Sequence, residues 1–125
     1  MIEGNLIEHL KGHLKGVAGY ELSKPVTACY PNYVVSSTMR RGESIHGNGG
    51  KGMGYEYDAQ INVLASSSAQ AKTIASKIIE TLDGFSGLLG DVTVIDCRLV
   101  NVIRLGVNPN KVFEVAIEFF IKTNN

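Results

Sequence analysis

The chain has few of the ingredients from which reaction centres are built. It has only two cysteines, Cys29 and Cys97, far apart and without CxxC spacing. No zinc ribbon or dithiol motif can be read from them, and both are expected to be free thiols, buried or partly buried, in a reducing compartment. Net charge is also lacking, because twelve Lys and Arg balance twelve Asp and Glu among the 125 residues. No long-range field therefore draws the protein onto nucleic acid or an anionic membrane. No apolar run approaches the roughly 18 residues that a membrane helix needs, and the N-terminus lacks the basic-then-apolar order of a signal peptide. The expectation is a soluble, intracellular protein. Nothing resembles a linker, so residues 1–125 form one domain around one core.

Each possible chemical constellation lacks a part. His9 and His13 have the i, i+4 spacing of a helical metal pair, but HExxH needs a glutamate where Leu10 stands, and no third ligand follows. They flank an apolar stripe, where half-exposed histidines are common. His46 falls in a glycine-rich loop that cannot fix catalytic geometry. Gly47-Asn48-Gly49-Gly50-Lys51-Gly52 spells GxGxxG, yet a dinucleotide site needs a strand before it and a helix after it, and here a strand follows. A P-loop fails too, since Ile45 lies five before Gly50 and Gly52 follows Lys51. Glu56/Asp58 and Glu114/Glu118 read as solvated strand faces with no nucleophile or histidine set against them. No catalytic residue, metal site or cofactor is expected.

What is present is a scaffold. From Tyr55 to Ala65 every second residue is apolar or aromatic, with Glu56, Asp58, Gln60 and Asn62 between, the pattern of a half-buried strand. Three serines break it, Ser67 and Gln70 fit a capping box, and Ala71, Ile74, Ala75, Ile78, Ile79 and Leu82 then line one face of a helix that ends at Asp83-Gly84. Before this unit, Ile2, Leu6, Leu10 and Leu14 predict a helix over residues 2–15. Val17 to Cys29 reads as a connector with a short strand piece, and Tyr33-Val34-Val35 opens a first strand that ends near Thr38. After the unit come a glycine-punctuated turn (Phe85 to Asp91) and a long strand (Val92 to Leu105). That strand's alternation slips near Leu99-Val100, which suggests a bulge, a bend or burial on both sides. A turn at Asn108-Pro109-Asn110 leads to a last strand over residues 112–122. The expected fold is α+β: about four strands, mostly antiparallel or mixed, with two helices packed on one face and the other face open to water or a partner.

Met39 to Gly54 differs in kind. Its sixteen residues include six glycines and the cations Arg40, Arg41 and Lys51, with almost nothing apolar to anchor them. Loops of that length are usually functional or disordered, so a mobile arm between the first two strands is expected. Arg40 and Arg41 suit phosphates, an acidic protein surface or simply a solvated turn.

With the elements in this order, the chain resembles the tail-terminator and head–tail joining proteins of long-tailed bacteriophages, including short proteins called minor capsid proteins in Gram-positive prophages. The resemblance rests on the helix Ile2–Leu14, on Pro31-Asn32-Tyr33-Val34-Val35, on Tyr57-Asp58-Ala59-Gln60-Ile61-Asn62-Val63 leading into the helix Ala69–Leu82, and on the closing strand Val112–Lys122. It implies a structural assembly protein, not an enzyme. Such subunits form a ring, commonly a hexamer, that caps the head-proximal end of a tail tube, stops its polymerisation and joins tail to head. Implied partners are further copies of the chain, the tail tube protein and the head connector protein. Genomic DNA passes through the lumen without specific binding, and no membrane is involved. The implied location is a virion tail or tail-like particle assembled in the bacterial cytoplasm. Arg40, Arg41, Lys51, Leu64 and Phe120 are the interface residues expected on this reading. The alternative is a small ligand-binding or regulatory α+β domain with a pocket under its sheet.

Overall fold

The computed structural model describes residues 2–24, 29–40, 54–107 and 111–124. Its elements run α1 (Glu3–Lys11), β1 (Ala18–Glu21), β2 (Asn32–Arg40), β3 (Tyr55–Ala65), α2 (Ser68–Leu82), β4 (Gly87–Leu89), β5 (Val92–Val107) and β6 (Phe113–Thr123). The α+β class is as expected, but the four-stranded sheet is not. Six strands form one curled, mixed sheet in the order β1-β2-β3-β6-β5-β4. Only the β1–β2 pair is parallel.

The two additional strands are the outermost ones, four and three residues long. Ala18–Glu21 falls in the connector where a short strand piece is expected, whereas Gly87-Leu88-Leu89 lies in the stretch read as a turn. Each forms because a longer neighbour offers it a ladder, and edge strands of this length have little propensity of their own.

The organising strand and helix are as the sequence predicts. Tyr57, Ala59, Ile61, Val63 and Ala65 of β3 are buried, and Ile61 and Val63 lose all exposure. They meet Val115, Ile117, Phe119 and Ile121 of β6, Tyr33 and Val35 of β2, and the apolar faces of both helices in a single core. At the start of α2 the Ser67 hydroxyl accepts from the Gln70 N–H at 3.1 Å. The return bond is displaced by one residue, because the Gln70 side-chain oxygen accepts from Ser66 N–H rather than from Ser67. At the other end, Asp83 and Gly84 tie α2 to β5: Asp83 Oδ1 accepts from Leu99 N–H at 3.0 Å, and Gly84 N–H donates to the Cys97 carbonyl at 2.7 Å.

The boundaries of the glycine-rich segment also move. Met39 and Arg40 belong to β2, paired with Tyr57 and Glu56. Gly54 is buried against the end of β6, where a Cβ would fall on the carbonyl oxygen of Thr123. The remainder of the expected arm, residues 41–53, lies outside the described residues. No helix is long and apolar enough to cross a membrane among the described residues.

Candidate functional site

The sheet face away from the helices satisfies itself. Its residues form rows across β2, β3, β6 and β5. One row of facing positions is Glu56, Lys122 and Asp96, with alternating charge, and Arg40 of β2 pairs with Glu56 at its end. The next is Thr38, Asp58, Phe120 and Arg98, in which the Arg98 guanidinium sits 5.1 Å from the centroid of the Phe120 ring while its Nε reaches Asp96 at 3.0 Å. Further along, Gln60 donates to Asn62 Oδ1 at 2.8 Å, and Asn62 donates to Glu114 Oε2 at 2.7 Å. Surface pairs of this kind contribute at most about 1 kcal/mol each. They nevertheless leave a polar surface that is largely bonded to itself. A shallow trough of about 330 Å³ crosses it, lined by Ser36, Thr38, Asp58, Gln60, Val100 and Glu118.

The far half of β5 is the opposite case. All eight residues from Val100 to Val107 are exposed, and five of them are large and apolar: Val100 (62%), Val102 (41%), Ile103 (37%), Leu105 (52%) and Val107 (51%). Scattered exposed apolar residues are ordinary, whereas a contiguous run of them marks an interaction surface. The backbone here is open as well. On its outer edge β5 pairs with β4 only over Val92–Val94, and Asp83-Gly84 occupies Cys97 to Leu99. Beyond that point no other strand covers this edge among the described residues. Open edges invite pairing with another chain.

Local details shape this edge. Register shifts between Leu99/Asn101 and Arg104/Gly106 bracket it, so Val100 and Leu105 are the extra residues of two bulges. Asn101 Oδ1 accepts from the adjacent Val102 N–H at 2.9 Å, blunting the edge at one position. On the helix side, Val102 and Arg104 border two adjoining hollows of about 200 and 190 Å³ beside α2, both lined by Lys72, Arg104 and Val115. Lys72 and Arg104 are exposed cations, and neither makes an ion pair among the described residues.

Of the residues singled out from the sequence, Leu64 and Phe120 lie apart on the sheet face. Arg40 stands at the end of β2 opposite Glu56, while Arg41 and Lys51 lie outside the described residues. Leu64 is on the face away from the helices, between Asn32 and Glu114, but only 8% exposed. Phe120 is half-buried beneath Arg98, several rows away. The exposed run on β5 was not anticipated. Its trace in the sequence is that Leu99-Val100-Asn101-Val102-Ile103-Arg104-Leu105 places apolar residues on both faces of one strand.

The titratable groups have structural roles. His9 packs on Phe85 with ring centroids 4.6 Å apart, and His13 Nδ1–H donates to the His9 carbonyl at 3.2 Å. Burial, and then the charge of His13, hold the His9 pKa below its usual value. Among the described residues no group of three His, Cys, Asp or Glu side chains could hold a metal ion. Cys97 faces the core, and burial, followed by the nearby Asp83 and Asp96, pushes its thiol up to about 12. Cys29 is exposed. Iodoacetamide at pH 8 is therefore expected to modify Cys29 in the native protein and Cys97 only in denaturant, as read by peptide mass spectrometry. The same shift gives a pH dependence. Because the folded state holds the neutral thiol, its contribution is complete below the unfolded value of about 9 and is lost as pH rises toward about 12. Cys97→Val should flatten that alkaline slope, leaving the share from Tyr33, which burial also pushes up to about 12.

No family model and no curated protein matches the sequence. Solved structures do match the fold. One is a chain from the virion of a native gene transfer agent particle, superposing with a TM-score of 0.68 at 15% identity over 86% of this chain and 79% of that one. This protein therefore has the fold of a chain found in the virion of a gene transfer agent particle.

Proposed function

We propose that this protein is a structural assembly protein of a phage-like particle, one that forms a ring capping the head-proximal end of a tail tube, stops tube growth and joins tail to head. The observation that carries the reading is the open, apolar far half of β5, on a fold shared with a gene-transfer-agent virion chain. A subunit whose open edge meets an unlike surface of the next copy closes into a ring when the rotation permits. The resemblance supplies the rest: copies of itself, commonly six, the tail tube protein on one side and the head connector protein on the other, with genomic DNA crossing the lumen unbound. On this reading the protein carries out no catalysis and resides in a virion tail or tail-like particle assembled in the bacterial cytoplasm. The hollows in the sheet and beside α2, including one of about 460 Å³ between residues 14–17 and Ile74 on α2, all open broadly at the surface and none encloses a set of convergent polar groups, so the ligand-binding alternative is the weaker reading.

Deleting the gene from the element that encodes it is the test. Electron microscopy should then show headless tubes of uncontrolled length, restored to uniform length by the gene supplied in trans. Tubes of normal length already joined to heads would refute the reading.

A further inference from the structure

We infer that the open half of β5 receives strand β1 of a second copy, head to tail, with Glu21 of the incoming strand set against Arg104 and Lys72. The inference rests on the ring reading above and names its subunit contact.

Topology makes the pairing possible. The sheet order places β1 at one extreme, and from β1 to β5 the strands run up, up, down, up, down. A neighbouring copy related by rotation about an axis along the strands brings its β1 beside β5 as an antiparallel pair, continuing the sheet from one subunit to the next. Among the described residues β1 pairs with no strand but β2, so a strand can add along its second edge up to the Glu21 carbonyl, which already accepts from Ser23 N–H at 2.7 Å. The lengths allow it, with half of the notch to spare. β4 and Asp83-Gly84 fill the first part of the β5 edge and leave eight residues, a notch of about 26 Å, for a strand of four residues spanning about 13 Å.

Chemistry selects this occupant over a second β5. Gly19 lies over the Tyr33 ring, which is buried in the core, so the residues of β1 that share its side, Gly19 and Glu21, face the helix layer. The Glu21 carboxylate accordingly sits beside Gly4 at the start of α1. Arg104 also faces the helix layer, beside Lys72 on α2. An exposed acid at one sheet edge and two exposed cations at the other thus lie on the same side of the sheet, and none of the three makes an ion pair among the described residues. Head-to-tail pairing brings opposite charges together. Pairing β5 with β5 would gather the arginine and lysine of both copies. Leu22, 67% exposed at the end of β1, adds an apolar contact for the exposed β5 side chains.

Cross-linking tests the pairing in the full chain. In a Cys29→Ser background, Glu21→Cys and Arg104→Cys are made singly and together and treated with a short bismaleimide. The double variant should give a ladder of covalent species beyond dimer that ends at one size, while each single variant remains monomeric on a denaturing gel. Dimers from Arg104→Cys alone would overturn the inference in favour of β5–β5 pairing. So would a double variant without a ladder, whether the parent sediments as a multimer or as a strict monomer. Charge reversal gives a second reading: Glu21→Arg and Arg104→Glu should each weaken association at least about tenfold, and the double reversal should restore it. Single reversals without effect on sedimentation would count against the pairing, provided thermal melts show every variant folded. Failure here combined with overgrown tubes on gene deletion would remove this contact and leave the ring reading standing. A ladder combined with normal tubes would do the reverse.

Discussion

Replacing Gly54 with alanine should destabilise the protein by about 3 kcal/mol or more, and valine by more still. The reason is a backbone contact. A Cβ at residue 54 falls on the carbonyl oxygen of Thr123, and the Thr123 carbon and Asn124 Cα follow at 2.8 and 3.2 Å. Side chains that crowd a flexible neighbour can be relieved by a rotamer change, but this neighbour is the main chain at the end of β6. It is held on several sides: Thr123 pairs with Tyr55 and Val94, its hydroxyl donates to the Tyr55 carbonyl at 3.3 Å, and Asn124 N–H donates to the Thr93 carbonyl at 2.8 Å. Relief therefore means peeling the last residues of β6 from β3, or shifting the start of β3 by enough to disturb the Tyr57 row. For a domain of this size the loss corresponds to a fall in Tm on the order of 10–15 °C, measurable by calorimetry. Gly84→Ala, at a helix end with φ of 80° and no neighbour within 4 Å, is the control and should cost only about 1 kcal/mol. Equal melting temperatures for the two variants would show that the contact at Gly54 is not tight.

That position also shows how far the fold could be read in advance. The alternation of β3 and the switch to helical period in α2 placed both elements within a residue or two of their observed bounds, because each buries one face and writes that face into its sequence. The bulge near Leu99 was legible for the same reason, as a slip in the alternation. What could not be read depends on partners rather than on local pattern. β4 is a strand only because β5 pairs with it, and β1, legible only as a short strand piece in a connector, takes its bounds from β2. Gly54 looked like one more glycine of a polar loop, and nothing in the neighbouring letters announces that the end of β6, nearly seventy residues away in sequence, presses against it.

The candidate surface is hidden from the sequence for a related reason. Leu64 and Phe120 stood out as apolar letters on polar faces, but the fold covers one and places a guanidinium over the other. Val102, Ile103, Leu105 and Val107 drew no attention, since apolar residues in a long strand read as core. Their exposure is a matter of lengths. Fifteen residues of helix span about 22 Å, whereas the sixteen residues of β5 span about 53 Å, so α2 cannot roof the whole strand.

This mismatch predicts the second large effect. Leu105→Lys combined with Val107→Lys should abolish self-association while leaving the monomer as stable as the parent. Both side chains are about half exposed, so within the monomer each substitution alters little apolar burial and is expected to change stability by no more than about 0.5 kcal/mol. In an assembly that covers the β5 edge the balance differs. Each lost apolar contact is worth about 1.5–3 kcal/mol, and each new ammonium group must be desolvated or turned away beside Arg104 and Lys72, which already carry positive charge. Two such positions at every subunit contact weaken each contact by a factor of at least about a hundred. Sedimentation velocity over a range of concentrations should show a multimer for the parent and a monomer for the variant, with circular dichroism melts superimposing. Substituting Leu88→Lys, apolar and more exposed still but on β4, should leave the multimer intact. A double lysine variant that still assembles would place the subunit contact elsewhere on the molecule, and one that simply unfolds would mean that the far half of β5 is held by the core after all.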